Sequence, residues 1–274
     1  MTSFRDGVSR VSVLTGFFML LTGLVEAQLA EPNEQGLSYG HIHLNVSDIE
    51  LHKRLWVEQF NGVLIERGPL TVVRLPNVVI ALTEKSPTGG SQGSVMDHFG
   101  FKVRSTPKFL EKWKATGLPA FEVFTGAEGQ RNAYVMLPDD VYVEIQEDQA
   151  LNVEVSGYHI HFRTPEFESL LNWYLETFSL ELRPRGRIAT TTNVPGINLS
   201  FGDLDRQVVP TRGRSIDHIG FEVVDLEEFC RALEAKGIVF DIPFREIHDL
   251  GLKIAFLTDP SGTYIELTEG LAAY

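Results

Sequence analysis

Short segments of alternating apolar and polar residues recur along the chain, separated by stretches in which apolar residues return every three or four positions. Four strand-like segments share one pattern: Gly40-His41-Ile42-His43-Leu44-Asn45-Val46, Asp97-His98-Phe99-Gly100-Phe101-Lys102-Val103, Tyr158-His159-Ile160-His161-Phe162-Arg163-Thr164 and Asp217-His218-Ile219-Gly220-Phe221-Glu222-Val223. Their leading histidines stand 57, 61 and 59 residues apart. A helical stretch follows each, over 48–60, 105–117, 165–178 and 224–237, with Asp48 and Ser105 at N-cap positions and Leu51, Leu55, Phe109 and Trp113 at helical spacing. Short strand runs come next, such as 70–75, 78–82, 133–137 and 141–145. The pattern predicts an α+β chain of four βαβββ units, strand–helix–strand–strand–strand each time.

A longer period groups these units in pairs. His41 matches His159 and His43 matches His161 at an offset of 118; His98 matches His218 at 120; Glu144 matches Glu266 at 122. Units one and two are therefore expected to form one domain over 38–148, and units three and four its near-duplicate over 154–270. Only about five residues, near 149–153, join the halves, which predicts packing against each other. Loops over 86–94 and 202–215 separate the units within each half.

Composition narrows the function classes. The 274 residues carry 37 Asp and Glu against 24 Lys and Arg, a net charge of −13, which argues against nucleic acid as a partner. The single cysteine, Cys230, excludes an internal disulfide framework and falls in a helical pattern as a small core residue. Residues 1–27 read as a signal peptide, with Arg5 and Arg10 ahead of an apolar stretch over 11–25 and small residues at Val25 and Ala27; residues 28–37 then read as a linker. The stretch is shorter than the roughly 20 residues that span a bilayer, so the expectation is a periplasmic or secreted protein with no membrane partner after cleavage.

Six of the eight histidines lie in the repeated strand. Residues i and i+2 of a strand share a face, so His41 sides with His43 and His159 with His161. Glu144 and Glu266 lie in strands whose other face is apolar, which turns each carboxylate away from the packed side. Two imidazoles and one carboxylate converging in a cup would bind a divalent cation and leave positions open for water, oxygen or substrate. The alternative is a set of half-exposed polar residues, each satisfied by backbone. Recurrence of the whole set favours the metal.

The βαβββ units, the Asp-His-x-Gly-Phe strand openings and the closing Asp259-Pro260-Ser261-Gly262-Thr263-Tyr264-Ile265-Glu266-Leu267 resemble the vicinal oxygen chelate superfamily of glyoxalases, bleomycin-resistance proteins and extradiol dioxygenases. The resemblance spans about 38–268 and implies two tandem domains, each a curved mixed sheet with outer helices. It implies metal ligands His41, His98 and Glu144 in the first domain, and His159, His218 and Glu266 in the second. The fourth ligand, a Glu, that glyoxalase I carries has Ala81 and Ser200 at the matching positions, so the set is closer to extradiol dioxygenases and fosfomycin-resistance enzymes. The dioxygenase pattern places a Tyr ten residues before the ligand Glu and a His about eight before that. Tyr134 fits in the first half; His248 stands eight before Phe256 in the second, so each half holds one part.

These readings predict an exported, metal-dependent enzyme acting on a small molecule with vicinal oxygens, most like an extradiol-type dioxygenase on a catechol-like substrate. The metal is expected to be Fe(II), with Mn, Zn or Ni as alternatives. His43, His161, Tyr134 and His248 are the candidate catalytic and substrate-contact residues. The alternatives are a glyoxalase-type lyase or isomerase, a toxin-modifying transferase, and a non-catalytic small-molecule-binding protein. The chain is expected to act as a monomer of two domains or as a homodimer.

Overall fold

In each repeated strand one row of side chains enters the core and the next row takes the opposite face. The computed structural model describes residues 28–274, so the expected signal peptide over 1–27 lies outside the described residues. The order is β1 (Leu37–Val46), α1 (Ile49–Glu58), β2 (Val63–Arg67), β3 (Leu70–Leu75), β4 (Val78–Glu84), β5 (Met96–Val103), α2 (Thr106–Trp113), β6 (Phe124–Thr125), β7 (Arg131–Leu137) and β8 (Val141–Glu147). The second half continues with β9 (Val155–Arg163), α3 (Phe167–Thr177), β10 (Asn198–Gly202), β11 (Ile216–Val223), α4 (Leu226–Ala235), β12 (Phe240–Ile247), β13 (Leu252–Thr258) and β14 (Tyr264–Glu269). Asp48 and Ser105 cap α1 and α2 as expected, accepting from Leu51 N and Lys108 N.

Two curved mixed sheets result, one ordered β12-β13-β14-β11-β1-β4-β3-β2 and the other β10-β9-β5-β8-β7-β6. Strand β1 of unit one runs antiparallel to β11 of unit four, and β5 of unit two antiparallel to β9 of unit three. Each sheet therefore takes strands from both halves of the chain. Connection length gives the reason. Seven residues lead from Glu147, at the end of β8, to Val155, at the start of β9, and they reach no farther than about 25 Å. In the sheet β8 and β9 flank β5, two strand spacings of roughly 10 Å apart, within easy reach. The longer runs from Glu84 to Met96 and from Gly202 to Ile216 carry the chain from one sheet to the other.

The aromatic clusters follow the halves instead. Trp56 and Phe60 at α1 pack on Phe99 and Phe101 of β5 and on Phe109 and Trp113 of α2, with ring centroids 4.6–6.1 Å apart. In the other half Phe162, Tyr174, Phe178, Phe201 and Phe221 form the equivalent cluster. All are buried, and each fully buried aromatic or large aliphatic side chain contributes about 1.5–3 kcal/mol. These aromatic clusters follow the halves, while the sheets, and the apolar core that joins the clusters, run across them.

One unit departs from the expected pattern. Unit three has a single named strand, β10, after its helix, and residues 181–197 form an irregular loop tied by isolated bridges Leu182–Thr192 and Arg185–Ile188.

Candidate metal centres

Each centre is built on three adjacent strands. In the first, His41 on β1 stands opposite Gly220 on β11, and Gly220 stands beside Glu266 on β14. His218, two residues before Gly220, shares its face. In the second, His159 on β9 stands opposite Gly100 on β5, Gly100 stands beside Glu144 on β8, and His98 precedes it by two. The glycine is what admits the ring. A Cβ at Gly220 would lie 2.0 Å from the His41 imidazole, and one at Gly100 would lie 2.2 Å from that of His159.

The distances repeat between centres. Glu266 Oε2 lies 2.9 Å from His41 Nε2 and 3.0 Å from His218 Nε2. Glu144 Oε2 lies 3.0 Å from His98 Nε2 and 3.1 Å from His159 Nε2. The structure brings together the six residues that the resemblance implies as ligands, but in a grouping other than the one expected. His41 belongs with His218 and Glu266, and His98 and Glu144 belong with His159, because the sheets pair unit one with unit four and unit two with unit three.

Sequence reasoning missed the two aspartates. Asp97 Oδ1 lies 2.6 Å from His98 Nδ1, and Asp217 Oδ1 lies 2.7 Å from His218 Nδ1. Neighbours on a regular strand face opposite sides, so an adjacent Asp-His pair does not suggest contact. A bulge makes it possible: β9 skips Asp97 between its pairings to Met96 and His98, and β1 skips Asp217 between Ile216 and His218. The recurring Asp-His dipeptide is the signal that identifies them.

These contacts test the fit of a cation. With Nδ1–H donated to Asp97, the neutral His98 ring presents a lone pair from Nε2 to a carboxylate oxygen 3.0 Å away. His218 faces Glu266 in the same way. Two lone pairs so placed repel unless a proton or a metal ion lies between them. Burial pushes the His98 and His218 pKa values down, but the hydrogen bonds to their paired carboxylates outweigh it and hold both above the usual imidazole value. Burial likewise raises Glu144 and Glu266, and the surrounding imidazoles outweigh it, holding both below the usual carboxylate range. His41 Nε2 is close to Glu266 yet not aligned for a hydrogen bond, and its Nδ1 and that of His159 are buried without partners. Imidazole and carboxylate donors arranged this way suit a divalent ion of the Fe, Mn, Ni or Zn type.

The expected acid–base histidines stand within the donor clusters. Among the described residues His161 Nδ1 and Nε2 are buried without hydrogen-bond partners, and the His98, Glu144, His159 and His161 donor atoms lie within 4.8 Å of one another. At the first centre His41, His43 and His218 form the corresponding group, without Glu266. Burial, with the neighbouring His218, pushes His43 down to about 3, and burial likewise holds His161 well below its ordinary value. Tyr134 stands against the Glu144 carboxylate, donating to Oε2 at 3.2 Å, while Asn132 donates to Oε1. Burial, followed by the Glu144 charge, raises the Tyr134 hydroxyl far above its ordinary value. His248 is not brought to a centre: it is exposed on the turn after β12, 3.3 Å from Glu246.

The sequence of residues 38–267 matches the Glyoxalase/Bleomycin resistance protein/Dioxygenase superfamily. The chain belongs to that family. The resemblance read from the Asp-His-x-Gly strands is thereby shown. No curated protein matches the sequence. Among solved structures, glyoxalase I from Zea mays is 16% identical with a TM-score of 0.65, covering 86% of this chain and 94% of its own. A glyoxalase I variant from the same plant reaches 0.68 at 15% identity, over 87% and 95%. A candidate dioxygenase from Bacillus subtilis reaches 0.64 at 12% identity, over 88% and 86%. These likenesses establish the fold of this superfamily member, two mixed sheets with few helices, and the His/Glu group establishes that its residues could hold a metal.

Proposed function

We propose that the protein is a divalent-metal-dependent enzyme acting on a small molecule with two neighbouring oxygens, and that the chemistry takes place at the second centre. The observation that carries this reading is the His98, His159 and Glu144 set, with Tyr134 and Asn132 on the carboxylate and His161 left without partners. A bound divalent ion would supply Lewis acidity to the adjacent oxygens of a catechol or hydroxyketone. The chain's own residues do the remainder. Asp97 fixes the His98 ring so that Nε2 faces the centre. Tyr134 and Asn132 hold the Glu144 carboxylate from both oxygens. His161 offers a ring nitrogen to a substrate hydroxyl and receives its proton.

Extradiol-type ring cleavage with Fe(II) is the leading form of this reading, supported by Tyr134 ten residues before Glu144 and by Ser200 where a fourth carboxylate would stand. A glyoxalase-type isomerase is the second form, favoured by the fourth donor that His161 adds to the group. Export, expected from the apolar stretch over 11–25, belongs to the proposal and leaves aromatic breakdown products and toxins as substrates. The deciding experiment is oxygen uptake by Fe(II)-reconstituted protein across a catechol panel. Uptake that tracks ring-cleaved product supports the dioxygenase. Silence across the panel, with the metal stoichiometrically bound, removes it and leaves the isomerase. Protein that takes up no divalent metal removes both.

A further inference from the structure

Strand β9 carries a third residue on the face that holds His159 and His161, and that residue is Arg163. Beside it, β10 brings Ser200 against His161 and Gly202 against Arg163. The loop that replaces the first two return strands of unit three crosses above them and contributes Arg187 and Thr190. Together they line a cavity of about 270 Å³ that His161 also lines. The loop is anchored there: Arg187 N donates to Ala127 O, and Arg185 reaches inward to Glu128, Gln146 and Ser200.

The two arginines that line the cavity differ from Arg185. Arg185 is neutralised by Glu128 at 2.8 Å. Among the described residues Arg163 and Arg187 have no carboxylate within ion-pairing distance; Arg163 Nη1 donates to Asp203 O at 3.4 Å and Arg187 Nη2 to Gly126 O at 3.3 Å. Asp97, whose charge Arg163 does feel, is already committed to His98 at 2.6 Å. In a chain of net charge −13, a small cavity lined by two arginines without carboxylate partners favours anions. The first centre has none of this at the matching positions. Asn45 replaces Arg163 and is hydrogen-bonded to Arg214 O and Asp217, and Thr83 replaces Gly202 and caps His43 at 2.8 Å.

The geometry points to an anion subsite formed by Arg163 and Arg187, which selects a substrate carrying a carboxylate on the same ring as the pair of oxygens held at the second centre. This assignment rests on the proposed reading of that centre for the oxygens, and on the two arginines alone for the anion. Guanidinium groups bind carboxylates through charge-assisted hydrogen bonds, and the cavity is of a size for a small ring with its carboxylate.

Three probes separate the two claims, titrated calorimetrically into metal-free and Zn(II)-loaded protein so that no turnover occurs. Benzoate carries only the carboxylate, catechol only the vicinal oxygens, and 3,4-dihydroxybenzoate both. Benzoate is expected to bind with or without Zn(II), and to lose about tenfold in affinity in Arg163→Met and in Arg187→Met. With Zn(II) present, 3,4-dihydroxybenzoate is expected to bind about tenfold more tightly than catechol, a preference that both variants abolish. Arg187 is exposed on its loop, so Arg187→Met keeps the test available if Arg163→Met does not fold. Absent benzoate binding, or binding unchanged in both variants, overturns the subsite whatever catechol does. Arginine-dependent benzoate binding with no catechol binding to the Zn(II) protein upholds the subsite and removes the vicinal-oxygen reading instead.

Discussion

The first and second centres share a frame of three strands, two histidines, a glutamate, a glycine and a bulged aspartate, and they diverge in what surrounds it. In the second, Tyr134 and Asn132 grip the carboxylate of Glu144. In the first, the same positions opposite β14 are Phe256 and Ile254, which give Glu266 no hydrogen bond. The ring geometry is retained: Phe256 stacks on Tyr264 at 4.9 Å and meets His218 edge-on at 5.4 Å, as Tyr134 stacks on Tyr142 at 4.5 Å and meets His98 at 5.2 Å. His43 is capped by Thr83, whereas His161 faces a cavity with no partner. The donors thus recur in both places, while the hydroxyl, the amide and the open cavity beside them are found at the second centre. A set of ligands alone does not distinguish a working centre from a structural one; the hydroxyls, amides and cavity around it do.

The largest effect should come from removing one carboxylate at a time. Glu144→Ala is expected to lower activity about 10³-fold or more and to remove one equivalent of bound metal, since losing a ligand costs more than the 10–100-fold typical of an outer partner. Glu266→Ala should remove the other equivalent and leave activity within about threefold, provided its centre is structural. Metal analysis alongside steady-state kinetics reads both. Equal loss of activity in the two variants would break the assignment of chemistry to the second centre.

Close approach at the glycines gives the next effect. Gly100→Ala places a methyl 2.2 Å from the His159 ring, and Gly220→Ala one 2.0 Å from that of His41. Neither ring has room to retreat, being buried, so each variant should lose about 1–3 kcal/mol of stability in denaturant titration. Each should also lose metal at its own centre only. Loss at the other would mean that the pairing of units one with four and two with three is wrong.

That pairing shows where sequence reading runs out. Strand alternation and helical spacing were sufficient for the four repeated strands, the helices behind them and the N-caps at Asp48 and Ser105, because these depend on neighbours along the chain; the six candidate donors came from the resemblance. Which unit shares a sheet with which depends on distance, and the repeat offsets of 118 to 122 are silent about it. The short run over 149–153 held the answer: it restrains β8 and β9 to one sheet, while the longer loops permit an exchange. Asp97 and Asp217 were hidden by a bulge that alternation does not foresee. His248 was matched by counting back from Glu266, and counting holds only on regular strands; β12 and β13 shift register between Phe240 and Arg245. Arg163, Arg187 and Asn132 carry no motif, and only the folded neighbourhood gives them a role.

A smaller effect follows from Tyr134→Phe, which removes one hydrogen bond from Glu144 and leaves the ring stack in place. The loss is about 1–1.5 kcal/mol, seen as roughly a tenfold weaker metal affinity at the second centre. The reciprocal change, Phe256→Tyr, should strengthen metal binding at the first centre by a few-fold without conferring activity there. Competition with a chromophoric chelator measures both.

The smallest change in stability should accompany the most specific change in binding. Gly202→Thr gives the second centre the hydroxyl that Thr83 supplies to the first. Gly202 is not in the left-handed region, and a Cβ there would meet the Arg163 side chain at 3.7 Å, an ordinary contact. The substitution should therefore shift stability by no more than about 0.5 kcal/mol. Its hydroxyl would be placed as Thr83 is toward His43, pairing with His161 and filling space beside Arg163. Carboxylate probes should then bind the second centre about as weakly as they bind an Arg163→Met variant, while its metal content stays the same. Retention of benzoate affinity in Gly202→Thr would mean that the cavity is not what separates the two centres, and would place the difference in Tyr134 and Asn132 alone.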